Sequence, residues 1–177
     1  MTAAAIEPLA PRDIERVAAI HDACFDDAWS DDMIRRVLGT AGAFGLVART
    51  TADPSIVAFA LARIVVDECE LLSLGVAPDR QRQGIGAALL DAAMDRAAAL
   101  GVRHFFLEVG EFNAPARRLY ESRGLRVVGR RADYYALEGG GAMDALTMRC
   151  EPNSAAARPA VQRQPGISES ASMSSRS

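Results

Sequence analysis

The chain is poor in the residues that build covalent or metal-held scaffolds. Its three cysteines, Cys24, Cys69 and Cys150, are scattered, odd in number and without close C-x-x-C spacing. That pattern suggests neither a disulfide framework nor a zinc site and leaves small buried thiols as the expectation. The two histidines, His21 and His104, stand far apart, so no metal is implied. The formal net charge is only -3, which argues against general affinity for nucleic acid. No apolar run approaches the roughly 20 residues needed to cross a bilayer. Glu7 and Pro8 interrupt the N-terminal apolar stretch almost at once, where a secretory signal would be continuous. A cytoplasmic protein without a membrane partner is expected.

What remains is one domain's worth of chain, 177 residues, half of them hydrophobic. Residues 5–9 read as a first strand. Ile14, Val17, Ile20 and Cys24 then fall at helical spacing, and Ser30 is placed to cap a second helix carrying Met33, Ile34, Val37 and Leu38, ended by Gly39. Residues 43–49, 56–66 and 70–77 read as antiparallel strands separated by turns at Asp53-Pro54 and Asp67-Glu68. A helix over 84–100, a strand over 104–109, a helix over 113–123 and strands over 126–130 and 145–149 complete the order. The last strand follows Gly139-Gly140-Gly141. This order predicts an α/β (α+β) fold, a mixed and mostly antiparallel sheet with helices on both faces, over residues 1–150. Residues 151–177 shift to Ser, Ala, Pro, Gln and Arg, the composition of a disordered tail.

The run Leu71 to Gly86 concentrates the chemistry. An apolar strand breaks at Pro78 and leads through Asp79, Arg80, Gln81, Arg82, Gln83, Gly84, Ile85, Gly86 and Ala87 into a helix. Gly84 and Gly86 clear side chains from the backbone, so helix-start amides can point at an anion, and Arg80 and Arg82 add positive charge. The run lacks the Gly-Lys-Ser/Thr ending of a nucleotide triphosphatase loop. It also has Leu89 where a dinucleotide fingerprint needs glycine or alanine.

Gln81, Gly84 and Gly86 fit the spacing Q/R-x-x-G-x-G/A, which resembles the acyl-CoA pyrophosphate loop of the GNAT N-acetyltransferase superfamily. A second match is Leu107-Glu108-Val109 followed by Asn113, Ala116, Leu119-Tyr120-Glu121 and Gly124. It resembles the L-E-V-x-x-x-N-x-x-A-x-x-L-Y-E-x-x-G-F signature of the ribosomal-protein alanine N-acetyltransferases, the RimI-like branch. Arg130-Arg131 with Tyr134-Tyr135, Ala145 to Met148, and Phe25 with Trp29 and Ser30 are similar to further elements of that branch. The resemblance covers roughly residues 5–149. The sequence departs from the branch at Gly110, Phe112 and Leu125, where arginine, serine and phenylalanine are usual. The first two stand just past Glu108, where an acceptor would approach.

The resemblance implies the GNAT fold, acetyl-CoA as donor and a site assembled from several elements. Acyl transfer from a thioester needs a neutral amine, a stabilised oxyanion and a proton for the departing thiolate. It assigns Glu108, set in an otherwise apolar strand, as general base acting through water, and Tyr120 as the acid that protonates the thiolate. Glu70 is the reserve base and a candidate to face the acceptor. Asn113 could bond the pantetheine arm, and it is equally an ordinary helix N-cap. The backbone of Leu74, Gly75 and Val76 should pair with pantetheine as an added strand would, with their side chains mattering little. Tyr134 and Tyr135, read as a pair in a loop, would wall the acceptor channel opposite Phe25 and Trp29.

A peptide α-amine, with an ordinary pKa near 7.7 to 8.0, is about a tenth or more neutral at neutral pH, whereas lysine, near 10.4, is almost wholly protonated. A single carboxylate base therefore fits an N-terminal amine best. The expected acceptor is the N-terminal alanine of a small-subunit ribosomal protein. Lysine side chains, a small-molecule amine and a non-catalytic acyl-CoA-binding module are the alternatives.

Overall fold

The computed structural model describes residues 4–51 and 54–153. The expected disordered tail from 154 onward and the Asp53 half of the predicted turn lie outside the described residues. Seven strands form one sheet in the order β1-β2-β3-β4-β5-β7-β6. They are β1 (Ala4–Pro8), β2 (Ala43–Thr50), β3 (Ile56–Val65), β4 (Glu68–Val76), β5 (His104–Gly110), β6 (Arg126–Ala136) and β7 (Ala142–Cys150). Every neighbouring pair is antiparallel except β4 with β5. The helices are α1 (Ile14–Cys24), α2 (Asp31–Leu38), α3 (Ile85–Ala99) and α4 (Ala114–Ser122). The predicted element order holds throughout.

Alternation along the strands divides the core in two. Ile14, Val17, Ile20 and Ile34 of α1 and α2 pack with Val47, Phe59 and Leu61 on one face. Leu89, Leu90, Ala93 and Met94 of α3 and Tyr120 of α4 pack with Ala60, Leu71, Phe105, Leu107 and Met148 on the other. Burying both faces is what fixes the register, since a one-residue slip would turn each apolar set to the wrong side.

Local chemistry sets the element ends. Ser30 Oγ accepts from the Met33 amide at 3.3 Å, the predicted cap of α2. Gly39 does close that helix, but at φ -77 its backbone is right-handed, so its ending role does not rest on left-handed freedom. The predicted turn at Asp67-Glu68 sits one residue earlier: Val66 takes φ 56 and Glu68 already begins β4. The largest correction concerns β6. It runs on to Ala136 instead of ending near 130, so Tyr134 and Tyr135 lie on a strand and not in a loop. The strand survives its polar stretch because it bulges, with Asp133 at φ 54 and the β7 register jumping between Arg131 and Tyr135.

Candidate active site

The site begins as a gap in the sheet. β4 and β5 pair only from Glu68 opposite His104 to Leu71 opposite Leu107. At that point β4 carries a bulge: Leu61 of β3 faces Ser73 while Ala62 faces Leu71, leaving Leu72 extra. A bulge bends and twists its strand, and beyond it the two strands no longer pair. The Ala77 amide donates to the Val57 carbonyl at 2.8 Å and sets the phase of the β3–β4 ladder. By alternation, the N–H and C=O groups of Leu74 and Val76 point away from β3, into the wedge. An extended amide-bearing chain laid there could pair with β4 as a strand does.

Side chains matter more here than the sequence reading allowed. A Cβ on Gly75 would come within 2.7 Å of the Phe59 ring, so glycine is needed for that ring to pack. The side chains of Leu74 and Val76 lie 3.6 and 3.4 Å from where Gly86 would carry a Cβ. They set how closely the start of α3 approaches β4.

The loop into α3 has the form the sequence predicts. Arg82 and Gly84 both take left-handed backbone, φ 62 and φ 83, and Gly84 is the N-cap. No side chain caps α3. Ala88 is the first amide to bond back, to the Gly84 carbonyl at 3.0 Å, so the amides of Ile85, Gly86 and Ala87 have no carbonyl within the helix to meet. The helix dipole adds positive potential at the same spot. Gln81 folds back along the surface: its Nε2 donates to the Val76 carbonyl at 3.1 Å, holding the loop against β4. Gln83 Nε2 reaches the Asp79 carbonyl at 3.5 Å. Both glutamines thus shape the loop, while the amides offer the anion site.

Glu70 on β4 and Glu108 on β5 share the sheet face that carries α1 and α2, beside the mouth of the wedge. Arg131 of β6 reaches Glu108, Nε to Oε1 at 3.3 Å. Burial and the negative charge of Glu108 push the Glu70 carboxyl above its ordinary range, while Arg131 and Arg63 pull it back. The reserve candidate therefore belongs to the same charge cluster as the principal one.

Tyr120 comes from the opposite face, on α4, and is buried. Burial, helped by Tyr135, pushes its phenol up to about 12, so at neutral pH it is a proton donor. Tyr135 links the two faces: its phenol is raised by burial, then by Tyr134 and Glu108. The rings of Tyr134 and Tyr135 meet edge to face, centroids 4.9 Å apart. Behind them, Arg130 Nη1 binds Glu111 Oε2 at 3.0 Å and Asp144 Oδ2 at 2.7 Å. Asp144 Oδ1 accepts from the bulged Asp133 amide at 3.0 Å. This network ties the end of β5 to the β6 bulge, and sequence reasoning missed it because its members lie far apart in the chain. A Cβ on Gly110 would meet only the flexible end of Met143, Cε at 2.6 Å, so packing alone does not demand glycine there.

Phe25 and Trp29 are organised by His21, which the sequence reading had set aside. Trp29 stacks on the His21 ring at 5.1 Å between centroids and Phe25 tilts against it at 4.5 Å. The Trp29 amide donates to His21 Nδ1 at 3.1 Å. The signal available was the spacing of His21, Phe25 and Trp29, four residues apart each time. Burial lowers the His21 pKa below 6.5, against the opposing pull of Asp27 and Asp22. Above 6.5 His21 leaves stability unchanged, and as pH falls from 6.5 toward the folded value the unfolded chain binds the proton first, so stability falls. Trp29 is the one tryptophan in the sequence. Its fluorescence is therefore expected to change with a midpoint below 6.5 and to lose that transition in His21→Gln; a midpoint at or above 6.5 would contradict the geometry.

Asn113 is the N-cap of α4, its Oδ1 accepting from the Ala116 amide at 3.3 Å. Cys69 and Cys150 are buried as expected, whereas Cys24 is half-buried at the wedge and donates to the Val76 carbonyl at 3.2 Å. Phe112 is largely exposed beside the site and Leu125 is fully buried. Among the described residues no helix is long and apolar enough to cross a membrane.

Residues 14–125 match the model of the acetyltransferase (GNAT) family. The chain is 32% identical over 143 residues to the ribosomal protein bS18-alanine N-acetyltransferase of Haemophilus ducreyi, covering 81% of this chain and 97% of that protein. It is 41% identical over 90 residues to the enzyme of that name from Escherichia coli K12, covering 51% of this chain and 61% of that one. The crystal structure of the Escherichia coli ribosomal-protein-S18-alanine N-acetyltransferase superposes with a TM-score of 0.79 at 31% identity, over 86% of this chain and 96% of that one. Arabidopsis thaliana NAA60 in complex with acetyl-CoA shares the fold, with a TM-score of 0.73 at 22% identity over 86% of this chain and 100% of that one. With the split sheet, the uncapped α3 and these likenesses together, the chain belongs to the GNAT acetyltransferase family, among its RimI-like N-acetyltransferases.

Proposed function

We propose that this enzyme transfers an acetyl group from acetyl-CoA to the N-terminal α-amine, alanine first, of a small-subunit ribosomal protein in the cytoplasm. The observation that carries the reading is the wedge between β4 and β5, with backbone donors at its base and carboxylates and tyrosines at its mouth. Its residues fit the donor: the amides of Ile85, Gly86 and Ala87 take the pyrophosphate, and the backbone of Leu74 and the N–H of Val76 pair with the pantetheine amides. Asn113, at the start of α4, lies along the same arm. Acetyl-CoA supplies an activated thioester carbonyl.

Glu108 takes the proton that the acceptor nitrogen gives up as the new C–N bond forms, through water or directly. A backbone amide of β4 donates to the carbonyl oxygen as negative charge gathers there. Tyr120 donates toward the sulfur that leaves with the electrons of the C–S bond. With a phenol near 12 and a thiol near 8.5, full transfer is uphill by about 3 to 4 pKa units. Tyr120 therefore acts chiefly by hydrogen-bonding the sulfur, and solvent completes its protonation. Phe25, Trp29, Tyr134 and Tyr135 line the acceptor's path, and Glu70 attracts its ammonium.

Turnover on a peptide beginning with alanine is expected to exceed turnover on a small polyamine by at least about tenfold in kcat/KM, because the aromatic walls hold an extended chain. Efficient use of the polyamine with none of the peptide would replace this reading by a small-amine acetyltransferase.

A further inference from the structure

The ion pair between Arg131 and Glu108 places a cation where the acceptor must arrive. Arg131 stands opposite Ala145 of β7, and Glu108 stands opposite Thr147 of the same strand. β6 and β5 are therefore separated by β7, about 10 Å at ordinary strand spacing. The small Ala145 and Thr147 side chains let the arginine lie across that strand and reach Glu108 at 3.3 Å. The same guanidinium sits 5.1 Å from the centre of the Tyr134 ring. It also acts electrostatically on Glu70. Its side chain remains 58% exposed, against 21% for Glu108, so it can move while the carboxylate stays.

We propose that Arg131 is a resident counter-ion: in the empty site its guanidinium occupies the place beside Glu108 and Glu70 that the acceptor's ammonium takes, and the arriving acceptor displaces it toward solvent. The inference rests on the α-amine reading above. Two carboxylates held near one another on adjacent strands repel unless a cation lies beside them. A guanidinium and an ammonium satisfy that need with the same chemistry, N–H donors carrying positive charge. The Tyr134 ring, 5.1 Å from the guanidinium, helps hold it in the resident position through attraction of a cation to an aromatic face, and the exposed side chain has water to move into when it is displaced. Arg63 of β3, which acts on Glu70, cannot substitute at Glu108, because it lies on the far side of β4. Arg131 is thus a positioning residue: the site admits acceptors that can exchange with it, and the exchange leaves the acceptor nitrogen beside the Glu108 carboxylate.

The test compares wild type with Arg131→Gln and Arg131→Lys, using an alanine-starting peptide as acceptor. Removing the resident cation is expected to lower the peptide KM by roughly three- to fivefold, the scale of an exposed ion pair, and by more than any change in kcat. Arg131→Lys, which keeps the charge, should return KM toward the wild-type value, and KM for acetyl-CoA should stay put. A KM that rises or does not change in Arg131→Gln, or a lysine variant that behaves as the glutamine one does, would overturn the proposal. The same three proteins loaded with CoA are titrated calorimetrically with alanine amide, which reads displacement without turnover. Tighter binding to Arg131→Gln supports the exchange; equal or weaker binding refutes it. If the peptide is not acetylated at all, the α-amine reading fails, while the calorimetric comparison still decides the role of Arg131.

Discussion

Glu108→Gln is expected to lower kcat by about 10²- to 10³-fold, the contribution of a positioned general base, while acetyl-CoA still binds. Glutamine keeps the shape but cannot accept the proton, and its amide still bonds neighbouring donors. The change also strips the charge from the contact with Arg131 at 3.3 Å and removes the charge that raises Glu70. Glu70 is thereby left as the remaining carboxylate of the pair, on the neighbouring strand, able to rescue part of the rate. The double variant Glu108→Gln, Glu70→Gln should therefore be slower than the single one. Steady-state kinetics with a calorimetric check on acetyl-CoA binding reads both effects. Near-normal turnover in the double variant, with the fold intact, would remove proton acceptance from these carboxylates.

Tyr120→Phe is expected to cost about 10²-fold in kcat, near the low end of acid catalysis, because the hydroxyl mainly stabilises the leaving sulfur. The fold should survive, since phenylalanine keeps the ring that packs with α3 and β5. No hydroxyl hydrogen bond to another described residue holds the ring in place, so its removal leaves no partner orphaned inside the protein. The phenol pushed up to about 12 also makes a claim about pH: the rate should not fall through the range where an ordinary tyrosine ionises, near 10. A kcat in Tyr120→Phe within about twofold of wild type would show that solvent alone serves the sulfur. A loss near 10⁴-fold would show instead that the proton is fully transferred from this residue.

The elements of this fold could be read from the sequence where one local rule governed each of them. The period of Leu90, Ala93, Met94 and Ala97 gave α3, and Ser30 and Asn113 cap the helices they were expected to cap. The anion loop was legible because backbone geometry, not partners, makes it: glycine spacing alone leads to φ 83 at Gly84 and an uncapped helix start. β6 was cut short at Arg130 and Tyr134-Tyr135 was read as a pair in a loop, because the polar Arg131 and Asp133 interrupt the apolar strand pattern. In three dimensions Asp144, from β7, accepts the bulged amide and completes the strand.

The same limit applies within the site. Glu108 and Tyr120 were visible through the motifs around them, and the structure sets them on opposite sides of one wedge. The roles of His21 and Arg131 were not visible. Each depends on a pairing across the fold, His21 with the aromatic rim and Arg131 with a carboxylate two strands away. Gly75 was chosen as part of the backbone expected to pair with pantetheine, yet its own backbone groups face β3 and the Phe59 ring explains why it must be glycine.

The most direct test of the central claim is to locate the acetyl group by mass spectrometry. The purified enzyme is incubated with acetyl-CoA and two peptides, one with a free N-terminal alanine and one with a blocked N-terminus and an internal lysine. Acetylation confined to the alanine α-amine is the result predicted here. Modification of the lysine alone, or of neither peptide, would contradict it and move the acceptor to another class while leaving the GNAT fold in place.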